Sequence, residues 1–263
     1  MSSRLPYSSL LWMVAVATVA APATQTQLPT AKEIVQRYDA ALGGREAIRR
    51  HQSSTLRGYM EIRKASGEVR LEFTYFAAAP YQRLERVTLP NNAGDVLNGF
   101  DGQNAWSFDP RTGPQLFSGT ERESMKRDAD FYYPLTELSW FKSMKTAGAE
   151  EFEGRPCYRL HGINNWDKVN DHFYDRETGL LAGYEFESGY GPTHEIFSDY
   201  KKADGVLVPT TQTVKFKSKD GNWSVAQILH FTSVTFNDVD PSVFTPPQAV
   251  RGLLAKAKPA VSN

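Results

Sequence analysis

Five histidines, one cysteine and thirty carboxylates are the residues of this 263-residue chain with the means to do chemistry, and their spacing argues against most of it. His51, His161, His172, His194 and His230 show no His-x-His, His-x-x-x-His or His-Glu-x-x-His pattern, so no zinc-type motif is present. Asp167, Asp171, His172 and Asp175 form the nearest thing to a metal cluster. Calcium accepts such carboxylates, but this stretch lacks the ligand spacing and turn glycine of an EF-hand, so a solvated turn is expected. Neither a metal nor a cofactor is expected.

Cys157 is alone and can form neither an internal disulfide nor a cysteine-based zinc site. In the strand-like run Pro156–Leu160 it is expected to be a buried, inert thiol. His161, four residues on, would lie about 13 Å away along a strand, too far to act as its base. No Gly-x-Ser-x-Gly elbow, phosphate loop or dinucleotide fingerprint occurs. Whether two carboxylates converge as a glycosidase pair stays open. An unrecognised hydrolase is therefore the weakest reading, and the chain is expected not to be an enzyme.

The positive signal is apolar. Met60, Ile62, Leu71, Phe73, Tyr75, Trp106, Met125, Phe131, Leu135, Leu138, Trp140, Phe141, Met144, Phe173 and Phe186 are the candidates to line or cover a cavity for an acyl chain. Singly, each fits an ordinary packed core better, and only together do they point to a cavity. With 40 % hydrophobic and 12 % aromatic residues, a sizeable core can form. The formal net charge is zero, without the basic surplus that phosphate-binding proteins show, so no nucleic-acid partner is expected.

These residues need elements to position them. Arg4, the apolar run Leu10–Val19 and the small-x-small step Ala21-Pro22-Ala23 predict a signal peptide over 1–23. The run is shorter than the roughly 20 apolar residues a membrane span needs; an uncleaved anchor is the alternative. No cysteine follows it to be acylated, and export as a soluble protein is expected. Thr30 and Glu33 have the spacing of a capping box before a helix whose apolar residues Ile34, Val35, Tyr38, Ala41 and Leu42 recur at helical spacing, ending at Gly43-Gly44.

From Leu56 onward the period drops to two. Val69, Leu71, Phe73 and Tyr75 alternate with Arg70, Glu72 and Thr74. Asp101-Gly102, Thr112-Gly113, Glu153-Gly154, Thr178-Gly179, Asp204-Gly205 and Asp220-Gly221 separate the later alternating runs as hairpin turns would. The spacing predicts strands near 54–64, 68–78, 81–88, 95–100, 104–109, 114–118, 146–152, 156–163, 170–175, 180–188, 194–200, 206–217 and 223–236. No helices alternate with them, so the sheet is antiparallel.

A segment at about 118–143 interrupts the meander. It carries helical cues in two pieces, Glu121–Asp130 and Leu135–Met144, divided at Pro134. One β domain over 24–247 is expected, followed by a poorly ordered tail over 248–263, in which a short amphipathic helix over Val250–Lys256 is the marginal alternative.

The motifs Phe100-Asp101-Gly102-Gln103-Asn104-Ala105-Trp106 and Asp175-Arg176-Glu177-Thr178-Gly179-Leu180-Leu181 are followed by Asp199-Tyr200, Asp204-Gly205-Val206-Leu207-Val208-Pro209 and the closing run Phe236–Phe244. Together they resemble the outer-membrane lipoprotein-sorting proteins, the LolA/LolB-like superfamily of periplasmic carriers, from about residue 30 to 247. The resemblance implies a mainly β fold: a strongly curved, open antiparallel sheet, an unclosed barrel, with helices covering its mouth. It further implies an acyl-chain cavity under a lid at 118–143, residence in a Gram-negative periplasm, and a lipid or acylated lipoprotein as cargo. An envelope protein as donor or acceptor and a monomeric state follow from the same likeness. Arg57 and Arg63 are its candidates for a lid latch. The alternative on the same sheet is an envelope sensor or protein-interaction module.

Overall fold

Each run of alternating polarity becomes a strand. The computed structural model describes residues 27–64 and 67–257, so the expected signal peptide lies outside the described residues. The strands are β1 Ser53–Lys64, β2 Gly67–Ala78, β3 Gln82–Thr88, β4 Asp95–Phe100, β5 Ala105–Asp109, β6 Gly113–Phe117, β7 Phe141–Phe152, β8 Arg155–Asn164, β9 Val169–Asp175, β10 Leu181–Ser188, β11 Gly191–Ala203, β12 Val206–Lys217 and β13 Trp223–Phe236. They form one thirteen-stranded sheet in the order β6-β5-β4-β3-β2-β1-β13-β12-β11-β10-β9-β8-β7. Every pairing is antiparallel. The sheet does not close, which leaves β6 and β7 as its edges.

That order has a consequence for the segment between β6 and β7. The two strands are consecutive in the chain but lie on opposite edges, so the connection must travel from one edge to the other. It does so as α3 Gly119–Asp128, α4 Tyr133–Thr136 and a 3-10 turn Glu137–Trp140. The expected second helix stops short of Met144. Phe141 turns extended and joins the ladder opposite Asn164, so Phe141 and Met144 belong to strand β7 and not to the crossing segment.

The sheet is also curled. Five strand spacings separate β3 from β11, about 24 Å in a flat sheet. Yet the charges of Arg83 and Glu85 on β3 act on Glu195 of β11, and α3 reaches both arms. Asp128 pairs with Arg83 at 3.5 Å, while the neighbouring Arg127 lies 5.4 Å from the Trp166 ring centroid. Two bulges in β13, with Thr232 the extra residue opposite Arg57/Gly58 and Ala226 opposite Val214/Lys215, supply local bends of the kind curling needs.

Two helices close one end of the inner face, α1 Ala31–Ala41 and α2 Arg45–Arg49. The capping box forms as expected: Thr30 N and Oγ1 donate to Glu33 Oε2 at 2.7 and 2.8 Å, and Glu33 N donates back to Thr30 Oγ1. The stripe Ile34, Val35, Tyr38, Leu42 and Ile48 packs on Leu160, Tyr174, Leu181 and Val206. Gly43, at φ +123°, lets the helix end approach the sheet, because a Cβ there would lie 2.3 Å from the Gly205 carbonyl oxygen.

The C-terminal stretch departs from the disordered tail expected over 248–263. Residues Gln248–Ala257 form α5, and Val250 is fully buried with Phe76, Leu84, Trp106 and Phe244. An isolated ten-residue helix is marginal in water. The apolar outer face of β2–β5 supplies the burial it lacks, and residues 258–263 lie outside the described residues.

Candidate functional site

A cavity of about 220 Å³ lies between the inner face of the sheet and its helical cover. Leu56, Tyr75 and Val234 line it from the strands, Tyr38 and Ile48 from the helices, and Phe131 and Pro134 from the crossing segment. Two larger grooves, about 590 and 500 Å³, open elsewhere, and neither is lined by the crossing segment.

The candidate wall residues divide by strand parity. Ladder partners place Met60 beside Leu71, Ile62 beside Val69, Phe73 beside Gly58 and Tyr75 beside Leu56, all on the inner face. Phe186 and Met144 share that face through Asn170 and Gly162, and Phe141 stands edge-on to His172 at 5.2 Å. Phe131, Leu135, Leu138 and Trp140 lie in the crossing segment, with Leu135 and Leu138 packed on the α1 cluster. Met125 packs instead near Phe100, Ala105 and Ala129. Of the whole set, Tyr75 and Phe131 line the cavity itself.

Two candidates fall on the wrong side. Trp106 points outward beneath Phe244 and Val250, and Phe173 stacks on Phe152 at 4.1 Å in an outer cluster with Cys157, Ala182 and Ile196. Both faces of the sheet are covered at these points, so alternation of polarity no longer marks the inside. Burial pushes the Cys157 thiol up to about 11, as suits an inert side chain. The latch candidates also fail. Arg57 is exposed, and Arg63 lies 3.9 Å from Glu68 near the far end of β1.

The cover is tied down by residues the sequence did not single out for this role. Glu137, 1 % exposed, accepts through Oε1 from His172 Nδ1 and from the Tyr174 hydroxyl. Glu137 Oε2 and His172 Nε2 are buried without a partner. Asp130 organises the rest: Oδ2 accepts from Trp140 Nε1 at 2.8 Å and from Thr136 Oγ1, and Oδ1 accepts from Tyr132 N at 3.1 Å. The Tyr132 hydroxyl donates to the His51 carbonyl at 3.0 Å. Trp140 is thus a strut of the cover and not a cavity wall. The four residues that lie nearest to a metal-binding pattern in the sequence are dispersed: Asp171 pairs with His161 and Arg159, Asp167 with Lys142, Asp175 caps its own turn, and His172 meets Glu137.

Beside the cavity the inner face turns charged. Arg83 pairs with Glu85 and Asp128, Arg127 pairs with Asp128 at 2.8 Å, and Arg83 sits over the Tyr75 ring at 5.4 Å. Gln212 Nε2 donates to Glu195 Oε1 at 2.5 Å. Loss of hydration in the cleft, together with Asp128 and Glu85, pushes the half-buried Glu195 up to about 7, against the opposing pull of Arg127 and Arg83.

A raised carboxyl holds its proton longer in the folded state than in the unfolded one. The folded chain therefore loses stability as pH rises from about 4.5 to about 7. Glu195→Gln is expected to be more stable than wild type at about pH 8, by up to about 3 kcal/mol, and equal to it near pH 4. Urea unfolding at the two pH values checks this, and an equal gain at both contradicts it. Asp39, raised by burial to about 6 beside Arg45, contributes with the same sign.

No protein-family model and no curated protein sequence matches the chain. Solved structures do. A LolA superfamily protein from Nitrosomonas europaea superposes with a TM-score of 0.59 at 14 % identity, over 83 % of this chain and 99 % of that one. A DUF1329 family protein from Desulfovibrio piger gives 0.58 at 13 % identity, over 81 % and 96 %. A putative outer membrane lipoprotein-sorting protein domain from Vibrio parahaemolyticus gives 0.57 at 15 % identity, over 81 % and 95 %. At these identities the likeness is one of fold.

Proposed function

We propose that this chain, which has the fold of the LolA superfamily, is a periplasmic carrier that holds the acyl chain of a lipid or lipoprotein between its curved sheet and helical cover. The observation that carries the reading is the cavity of about 220 Å³ bounded by Leu56, Tyr75, Val234 and Phe131. Each buried methylene contributes about 0.8 kcal/mol, so a 16-carbon chain offers roughly 12 kcal/mol before the costs of ordering and opening. Pockets for ligands of drug size span roughly 300–1,000 Å³, so a long chain enters only as the cover lifts.

Lifting the cover opposes the Glu137–His172–Tyr174 contacts. A carrier that must also release its cargo is served by a closed state of its own. Among the described residues no helix is long and apolar enough to cross a membrane. The same reading makes the chain a monomer without catalytic activity that receives and hands over its cargo at envelope proteins.

The alternative, an interaction module that recruits partners along a sheet edge, has less support. Leu254 of α5 packs in the cluster that includes Leu116 of β6. Strand β7 carries Lys142, Lys145, Glu150 and Glu151 and two register breaks, features that discourage strand addition.

Delipidated protein is expected to bind a neutral, chain-labelled fluorescent monoacyl lipid. Val234→Trp, which fills the cavity from the β13 side, is expected to weaken that binding about tenfold or more. A wild type that ignores the probe, or a variant that binds it equally well, would overturn the proposal.

A further inference from the structure

We infer that the ligand of this cleft carries a cationic head group, an ammonium of the alkylamine or aminolipid kind, seated against Glu195. The inference rests on the acyl-carrier reading above and adds the class of head group.

Its basis is a charge tally on the inner face. Arg83 is answered by Glu85 and Asp128, and Arg127 by Asp128. Glu195 is the carboxylate left over: two cations face three anions. Its Oε1 accepts from the neutral Gln212 amide, and among the described residues no donor meets Oε2. Tyr184, its ladder partner on β10, is held neutral by burial and neighbouring negative charge. Glu195 keeps part of its surface exposed, and it is not itself one of the residues that line the cavity of about 220 Å³.

An apolar path adjoins the charge. Val214 sits beside Glu195 in the ladder, and Tyr75, whose ring lies under Arg83, is a wall of the cavity. Farther along the same face Phe73 and Phe231 pack with ring centroids 5.8 Å apart. A single-chain amphiphile can therefore place its chain on apolar surface and its head among these charges. An ammonium satisfies the unanswered carboxylate, whereas a carboxylate or phosphate head adds to the excess of one negative charge left after Arg83 and Arg127 are counted.

The test uses the full, delipidated protein at about pH 8.5, where decylamine, decanoate and Glu195 are all ionised. Decylamine, decanol and decanoate, each below self-association, compete with the neutral fluorescent lipid. Decylamine is expected to bind about tenfold or more tighter than decanoate and tighter than decanol. In Glu195→Gln the advantage should shrink to about twofold or less while decanol binding is unchanged, which also shows that the variant is folded. Equal binding of amine and carboxylate, or a preference that survives in Glu195→Gln, overturns the inference and leaves the acyl-carrier reading standing. Failure of all three to displace the probe overturns both.

Discussion

Replacing Glu137 with alanine is expected to cost about 3–5 kcal/mol of stability. The side chain is 1 % exposed and serves two donors, His172 Nδ1 and the Tyr174 hydroxyl, on strand β9. Removing it strands both donors in a site where His172 is itself 0 % and Tyr174 1 % exposed. Each orphaned buried donor costs about 1–3 kcal/mol, and the lost volume adds to that. For a chain of this size the melting temperature should fall by about 10 °C.

The double variant Glu137→Leu/His172→Leu should recover part of the loss, since it removes acid and imidazole together. Urea unfolding of the single and double variants reads both effects. A Glu137→Ala protein within about 1 kcal/mol of wild type would mean that the buried contact does not hold the cover. The functional counterpart is looser closure, seen as faster loss of bound probe.

The second large effect is at Gly58, where valine is expected to prevent the native sheet from forming. A Cβ at this position would lie 1.7 Å from the His230 carbonyl oxygen and 2.7 Å from its carbon, both backbone atoms that cannot swing aside. The position faces the bulge at Thr232 of β13, where the register with β1 shifts between Arg57 and Gly58. That pairing is the joint between strands β1–β6 and strands β7–β13. Forcing it apart separates the two arms whose inner faces make the site.

Even Gly58→Ala should lose several kcal/mol. Gly189→Ala, where an added Cβ meets nothing within 4 Å, is the control and should stay within about 0.5 kcal/mol of wild type. Far-ultraviolet circular dichroism and thermal melts distinguish the two. A Gly58→Ala variant that melts like wild type would contradict the close approach.

Much of this architecture is written locally. Thirteen strands form in the places that alternation and turn dipeptides mark, except that β7 starts at Phe141, inside the expected second helix and five residues before the expected strand at 146. The motifs that carry the family likeness are turn builders. Asp101 accepts from the backbone of Gln103 and Asn104, Asp175 from Glu177 and Thr178, and Asp240 from Ser242. They specify the fold and are silent about cargo, which is why the resemblance reaches the sheet and not the site.

The site was less legible because a curled sheet breaks the rule that polar residues face water. On β3, Leu84 is 2 % exposed on the outer face, while Arg83 and Glu85 turn inward beside Tyr75 and Ala77. Alternation alone would assign them the other way round. Trp106 was misplaced for the same reason, since α5 makes the outside apolar there. Glu137, His172 and Glu195 depend on contacts across the barrel mouth between residues far apart in sequence, and no local pattern announces such a meeting.

Acyl-chain occupancy of the covered cavity is the central claim, and native mass spectrometry of the full 263-residue chain expressed in a Gram-negative host tests it most directly. The predicted result is a single lipid-mass adduct on the wild-type chain that is absent from Val234→Trp. A wild-type chain that emerges free of lipid, and stays free after incubation with a total envelope-lipid extract, would contradict it.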